Sequence, residues 1–135
     1  MSILVDTSVW SLAFRRKKQE GSPIASALAD LIAHDQAKII GPIRQELLSS
    51  ISDPHFFELL KNKLRAFTDV PVVTEHYELA ADLSNRCRRR GIQGSHVDFL
   101  ICSVSSIDDL PIFTTDCDFV SYSKIVKLNL YQIKS

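Results

Sequence analysis

Residues 3–8 read Ile-Leu-Val-Asp-Thr-Ser, three aliphatic side chains followed at once by a carboxylate and two hydroxyls. An apolar run without polar alternation suits a strand covered on both faces, and such strands belong to parallel sheets packed between helices. Asp6 then falls where this strand ends and the chain turns toward its first helix. The same pattern returns at Pro111-Ile112-Phe113-Thr114-Thr115-Asp116, a second short apolar run ending in hydroxyls and an aspartate. Together the two stretches predict a parallel sheet and raise the question of what two strand-end carboxylates are for.

Working outward, strand-like and helical segments alternate. The stretch from Val9 carries a helix that leads into the cations Arg15–Lys18. Ser22 and Pro23 form an N-cap and first helical position, with Ile24, Leu28, Leu31 and Ile32 on one stripe. Ile39 and Ile40 predict a second strand, stopped by Gly41-Pro42, and Ile43, Leu47, Leu48 and Ile51 share the face of a following helix. Asp53-Pro54 starts another helix, striped by Phe56, Leu60, Leu64 and Phe67. Val70–Val73 is a third strand candidate, with Pro71 favouring an edge. Thr74 is expected to cap a helix with acids early and Arg86–Arg90 late, the polarity that the helix dipole favours, and Gly91 to end it. A helix over Val97–Ile107, a fourth strand at Pro111–Thr115 and a fifth through the alternating Val126–Leu130 complete the reading. The predicted architecture is one three-layer α/β/α domain over residues 1–135, with a mostly parallel, five-stranded sheet.

Composition narrows the function classes. A chain of 135 residues, 45% apolar, fits one globular domain, and the four Gly and five Pro argue against a low-complexity chain. Sixteen Lys and Arg balance sixteen Asp and Glu, so a nucleic-acid partner has to be read from local patches, not from net charge. There is no basic segment followed by a long apolar run, and no apolar stretch approaches about 20 residues, so a cytoplasmic location is expected. Cys87, Cys102 and Cys117 suit neither a paired disulfide framework nor a close metal motif; buried, reduced thiols are expected, with Cys117 in a packing role.

The acids carry the chemistry. In parallel α/β sheets ligands bind at the carboxyl ends of the strands, where Asp6 and Asp116 both fall; on adjacent strands they would face one another. Glu46 borders an apolar helix face at Leu47 and Leu48, and Asp98 occupies the first turn of a helix continuing as FLICSV. Each acid has a plainer reading. Asp6, Asp98 and Asp116 can cap or order local backbone, Glu46 can be a solvated border residue, and Asp118 is either an outer ligand or an Asx cap for the next turn. Gathered in one cavity, however, four carboxylates repel, and Mg²⁺ or Mn²⁺ relieves that repulsion as a hard cation that prefers oxygen donors. Phosphodiester hydrolysis most often uses such a site, the ion activating water and balancing charge on the phosphate.

At this point ILVDTSVW, IRQELL, GSHVDFLICS and FTTDCDF resemble, in order and across nearly the whole chain, the PIN-domain proteins, particularly the VapC-type toxin ribonucleases of bacterial VapBC toxin–antitoxin systems. The resemblance implies a PIN-like α/β/α fold and metal-dependent endoribonuclease activity. Its acidic residues map onto Asp6, Glu46, Asp98 and Asp116 as catalytic and metal ligands, with Asp118 matching a more variable acid. It also implies a small, DNA-binding antitoxin as partner and a homodimer. A segment inserted over the acidic pocket, with an arginine imitating the metal charge, is the expected mode of inhibition. Ile24/Leu28 and Phe56/Leu60 are candidate contributors to a dimer or antitoxin groove, with core packing as the plainer reading.

An RNA substrate needs cations beside the acids, and Arg15–Lys18 and Arg86–Arg90 are the runs available to bind phosphates. Gln93, His96 and Trp10 are candidates for contacting bases or RNA shape. Thr7, Ser8, Thr114 and Thr115 are expected to donate to the carboxylates or to bound water, or to cap the strand ends. Two other classes stay open: a structure-specific DNA nuclease using the same chemistry, and a noncatalytic RNA-binding or protein-interaction domain on this fold. A phosphoacceptor receiver domain lacks its strand-end lysine here. A haloacid-dehalogenase-like phosphatase would need Asp-x-Asp where this chain has Asp6-Thr7-Ser8.

Overall fold

The computed structural model describes residues 1–15 and 22–133, so the Arg15–Lys18 run lies outside the described residues except for the Arg15 backbone. Three parallel strands, β1 (Ile3–Val5), β2 (Ala37–Lys38) and β3 (Ile112–Phe113), lie in the order β2-β1-β3. Ile3 pairs with Ala37, and Val5 with Phe113. The chain runs from β1 to one neighbour and later returns on the other side of β1, so the order reverses between β1 and β3. That reversal is where open α/β sheets leave a crevice.

The sheet is extended on each edge by a single parallel bridge, Ile39 to Asp69 and Ile112 to Leu130. The expected third and fifth strands are thus reduced to one bridge each. Val70 N–H reaches Ile39 O at 2.8 Å, but Gly41 already begins helix α3 (Gly41–Ser49), leaving Val72 and Val73 nothing to pair with. On the other edge Ile112 bonds both Asn129 and Tyr131, and β3 then ends in the turn that carries Asp116. The second strand also sits earlier than Ile39–Ile40, for the same reason.

The helices follow the predicted punctuation. They are α1 (Thr7–Arg15), α2 (Pro23–Ala33), α4 (Pro54–Leu64), α5 (Thr74–Arg89), α6 (His96–Asp108) and α7 (Asp118–Tyr122). Ser22 Oγ accepts from Ala25 N–H, Asp53 from His55 N–H, and Ser95 Oγ from Asp98 N–H, satisfying amides that the helix starts leave free. Gly91, at φ +73°, ends α5 in the left-handed region. Thr74 is not the cap expected of it but the first helical residue. Buried His76 takes that place: its Nδ1 accepts the Val73 N–H at 2.9 Å, which puts the ring proton on Nε2, 3.0 Å from Asp108 Oδ1. One side chain so ties the start of α5 to the end of α6.

Inside, α6 is buried without a break from Phe99 to Ser105, and the three β1 residues are at most 1% exposed. Trp10 is fully buried, donates Nε1–H to Val5 O at 3.0 Å and meets Phe67 edge-on, so it is a core residue and not the RNA contact considered for it. Leu28 and Leu60 are core residues as well. No described helix is long and apolar enough to cross a membrane.

Candidate active site

Because β1 pairs directly with β3, their C-terminal ends bring Asp6 and the Asp116 turn side by side. The Asp6 backbone continues the ladder, N–H to Phe113 O at 2.9 Å, while its carbonyl accepts from Val9 and Trp10 and opens α1. Its carboxylate, 5% exposed, accepts from Thr114 Oγ1 at 2.7 Å and Ser8 Oγ at 2.9 Å, both on Oδ2. Each hydroxyl has one proton, spent on Asp6, so the 3.4 Å Ser8–Thr114 approach is contact without a bond. The same oxygens accept in turn, Thr114 Oγ1 from Asp116 N–H at 3.0 Å and Ser8 Oγ from Thr115 N–H at 3.1 Å. Two of the four predicted hydroxyls therefore latch the strand ends together. Thr115 takes part through its backbone, and Thr7 Oγ1 is buried without a partner among the described residues.

Asp98 comes from the first turn of α6, half-buried. Its Oδ2 accepts the Tyr122 hydroxyl at 2.6 Å. Burial raises its pKa above the ordinary carboxylate value, and the charges of Asp6 and Asp116 raise it further, against the lowering effect of the Tyr122 and Ser95 bonds. Asp6 is likewise raised by burial, against bonds from Thr114, Ser8 and two backbone amides. Asp98 thus lies in the field of both Asp6 and Asp116, and the three acids come from three separate elements. Burial, its bond to Asp98 and the nearby acids all push the Tyr122 hydroxyl pKa up, so it remains a donor. Cys102, buried beneath Asp98, is also pushed up and stays a thiol.

Asp116 shapes the next turn: its Oδ1 accepts from Asp118 N–H at 2.9 Å. The Asx role considered for Asp118 belongs to Asp116, and Asp118 is the exposed first residue of α7. Ligand atoms of Asp116, Cys117 and Asp118 lie within 4.8 Å of one another, and no other such set of three or more occurs among the described residues. Cys117 is exposed, so the packing role expected of it is corrected, whereas Cys87 and Cys102 are buried as expected. Glu46 points from the exposed side of α3, between buried Ile43 and Leu47, and no hydrogen bond or ion pair joins its side chain to the other acids among the described residues. It sits on the helix that leaves the end of β2.

Sequence reasoning missed Tyr122 and the reason for Gly94. A Cβ at Gly94 would lie 2.5 Å from Tyr122 Oη and 2.8 Å from Phe99 Cζ, so the missing side chain is what lets Tyr122 reach Asp98. Of the cationic run at the end of α5, Arg86 pairs with Asp82 at 3.1 Å, while Arg88 bonds the neutral Asn85. Arg88 and His96 line a cavity of about 410 Å³ between α5 and α6, which brings positive charge toward the helix start that carries Asp98. The donor set is carboxylate oxygens, with Asp6 and Asp98 both disfavoured as anions by burial and Asp98 also by its acidic neighbours, and it fits a hard divalent cation.

Fold and site define an α/β domain with carboxylates gathered at the switch point of a parallel sheet. The PIN domain family model matches residues 3–125, and the chain belongs to the PIN domain family. Among solved structures it resembles FitAcB from Neisseria gonorrhoeae, with a TM-score of 0.75 at 18% identity over 96% of both chains. It also resembles VapBC2 from Rickettsia felis bound to a DNA fragment from their promoter, with a TM-score of 0.74 at 15% identity over 97% of this chain and 98% of that one. A third is VapBC-5 of the VapBC toxin–antitoxin family from Mycobacterium tuberculosis, with a TM-score of 0.65 at 18% identity over 99% and 98%. A comparison with curated protein sequences gives no match.

Proposed function

We propose that residues 1–135 act as one Mg²⁺- or Mn²⁺-dependent endoribonuclease unit, the toxin of a toxin–antitoxin pair. The observation that carries the nuclease reading is the convergence of Asp6, Asp98 and Asp116 from β1, α6 and the β3–α7 turn at the switch point of a PIN-family sheet. Asp6, Asp98 and Asp116 would hold the ion, with Glu46 of α3 completing the set and Asp118 as an outer ligand. The ion, when bound, supplies charge neutralisation and activation of water.

The protein's own part is positioning. Ser8 and Thr114 each donate a hydrogen bond to Asp6 Oδ2, which holds the carboxylate in one orientation. Tyr122 does the same for Asp98. Arg88 and the neighbouring Arg89 and Arg90 would attract the RNA backbone that the acids repel. The toxin role rests on the likeness to FitAcB and VapBC complexes, and it brings a small DNA-binding antitoxin, a homodimer and a cytoplasmic location with it.

The test is cleavage of cellular RNA, with end mapping, by wild-type and Asp116→Asn protein with and without Mg²⁺. Metal-dependent cleavage lost in the variant supports the reading. Equal cleavage by a correctly folded Asp116→Asn protein, with unchanged metal dependence, removes Asp116 from the site.

A further inference from the structure

A second cavity, of about 360 Å³, has Asp116 and Thr114 in its wall but neither Asp6 nor Asp98. Its other walls are Val120 on α7 and the chain through Leu130 and Tyr131, with Gln132 alongside. Two features set it apart from packing imperfection. Val120 is 55% exposed although its neighbours Phe119 and Tyr122 are buried, and Ile133, also lining the cavity, is 37% exposed. The Tyr131 ring is held in place by Phe113, with centroids 5.1 Å apart. The cavity thus offers apolar and aromatic walls, one amide able both to donate and to accept, and a direct edge onto the acidic site. Its volume is at the small end of ligand pockets.

We propose that this cavity is a nucleobase subsite, which seats the base of a nucleotide next to the scissile phosphate of single-stranded RNA. The inference rests on the ribonuclease reading of the acidic site. A base has what the walls ask for: a flat apolar face for Tyr131 and Val120 and a hydrogen-bonding edge for Gln132, tethered to a phosphate that belongs at Asp116. Bases splayed from single strands are recognised in this way, by stacking and by contacts to their edges. Paired bases in a duplex present no free face to the cavity, so the subsite selects unpaired RNA.

Cys117, also in the lining, gives a readout that does not depend on cleavage. The chain has three cysteines, of which Cys87 and Cys102 are buried and Cys117 is exposed. The experiment follows alkylation of Cys117 by a maleimide in the full chain carrying Asp98→Asn to stop cleavage, with Mg²⁺ present. The probes are four short single-stranded oligoribonucleotides, each of one base, and an abasic strand of equal length; binding is followed separately by fluorescence anisotropy. At about ten times its Kd, at least one base-bearing strand should slow alkylation about tenfold, while the abasic strand leaves it unchanged. Val120→Asp should abolish that protection, read as the ratio of liganded to unliganded alkylation rates within the same variant so that any effect of the new carboxylate on the thiol cancels, and Gln132→Ala should change which base protects best.

Equal protection by the abasic strand, or no protection by strands that anisotropy shows to be bound, overturns the subsite. So does protection that grows with protein concentration and needs no RNA, which would mean a second copy covers the cavity. If wild-type protein still cleaves RNA, such results leave the ribonuclease reading standing. If no strand binds and wild-type protein cleaves no RNA, both fall.

Discussion

Gly94→Ala is the sharpest probe of how the site is held. The backbone there is not in the left-handed region, so alanine would ordinarily be neutral or mildly stabilising. Here its Cβ would sit 2.5 Å from Tyr122 Oη, 2.8 Å from Phe99 Cζ and 2.9 Å from Tyr122 Cζ, where ordinary contact begins at 3.4 Å. Tyr122 is 1% exposed and packed against Phe99 and Phe119 at centroid distances of 5.3 and 5.1 Å, so it has no room to retreat. Overpacking costs about 1–3 kcal/mol, and a lost hydrogen bond to a charged acceptor about 1.5–3 kcal/mol. Less the small gain alanine would otherwise bring, a net loss of about 2–5 kcal/mol follows. For 135 residues that lowers Tm by about 7–18 °C, read by circular dichroism. In a Tyr122→Phe background the hydroxyl clash and the bond are already gone, so the same substitution should cost about 1.5 kcal/mol less. A Gly94→Ala protein melting with the wild type, or one whose loss is the same in both backgrounds, refutes the coupling of Gly94, Tyr122 and Asp98.

Further predictions concern the acids. Asp6 and Asp98 have folded-state pKa values raised above the ordinary 3.8, so their contribution to stability is full below that value and is lost as pH rises through the raised values. Relative to the wild type, metal-free Asp6→Asn protein should therefore gain in Tm as pH is raised from 3 toward 7; a flat difference curve would show that Asp6 titrates normally. Mg²⁺ should raise the Tm of the wild type at pH 7 and leave Asp6→Asn nearly unchanged, as thermal scans with and without the ion will show. Thr114→Val removes a donor to Asp6 and the acceptor of the Asp116 N–H, and should destabilise by about 1–3 kcal/mol with a loss of cleavage. Glu46→Gln, on an exposed helix face, should leave Tm within about 2 °C of wild type while lowering cleavage at least about tenfold if Glu46 completes the site; unchanged cleavage removes it.

Much of this was legible in sequence because it depends on local pattern. Ile3–Val5 and Ile112–Phe113 are apolar runs that only a doubly covered strand explains, and the Ser22-Pro23 and Asp53-Pro54 starts are chemistry within three residues. Asp6 and Asp116 followed from the strand ends, once parallel. What sequence did not show was contact between distant residues. The hydroxyl of Tyr122 reaches Asp98 from 24 residues away, and Gly94 is explained only by the ring it accommodates. Val70–Val73 and Val126–Leu130 have strand-like composition, yet a ladder needs a partner as long as itself, and β2 and β3 are cut short by α3 and by the acidic turn. Trp10 read as a surface candidate because a side chain's depth is set by neighbours such as Phe67, far along the chain.

The proposed function depends on Asp6, Asp98 and Asp116 forming one divalent-metal site. Anomalous scattering from crystals grown with Mn²⁺ tests it most directly. A peak bounded by those three carboxylates, with Tyr122 still on Asp98 Oδ2, is the expected result. A peak held by Asp118 and Cys117 with Asp116 turned away, or no peak at saturating Mn²⁺, would contradict it.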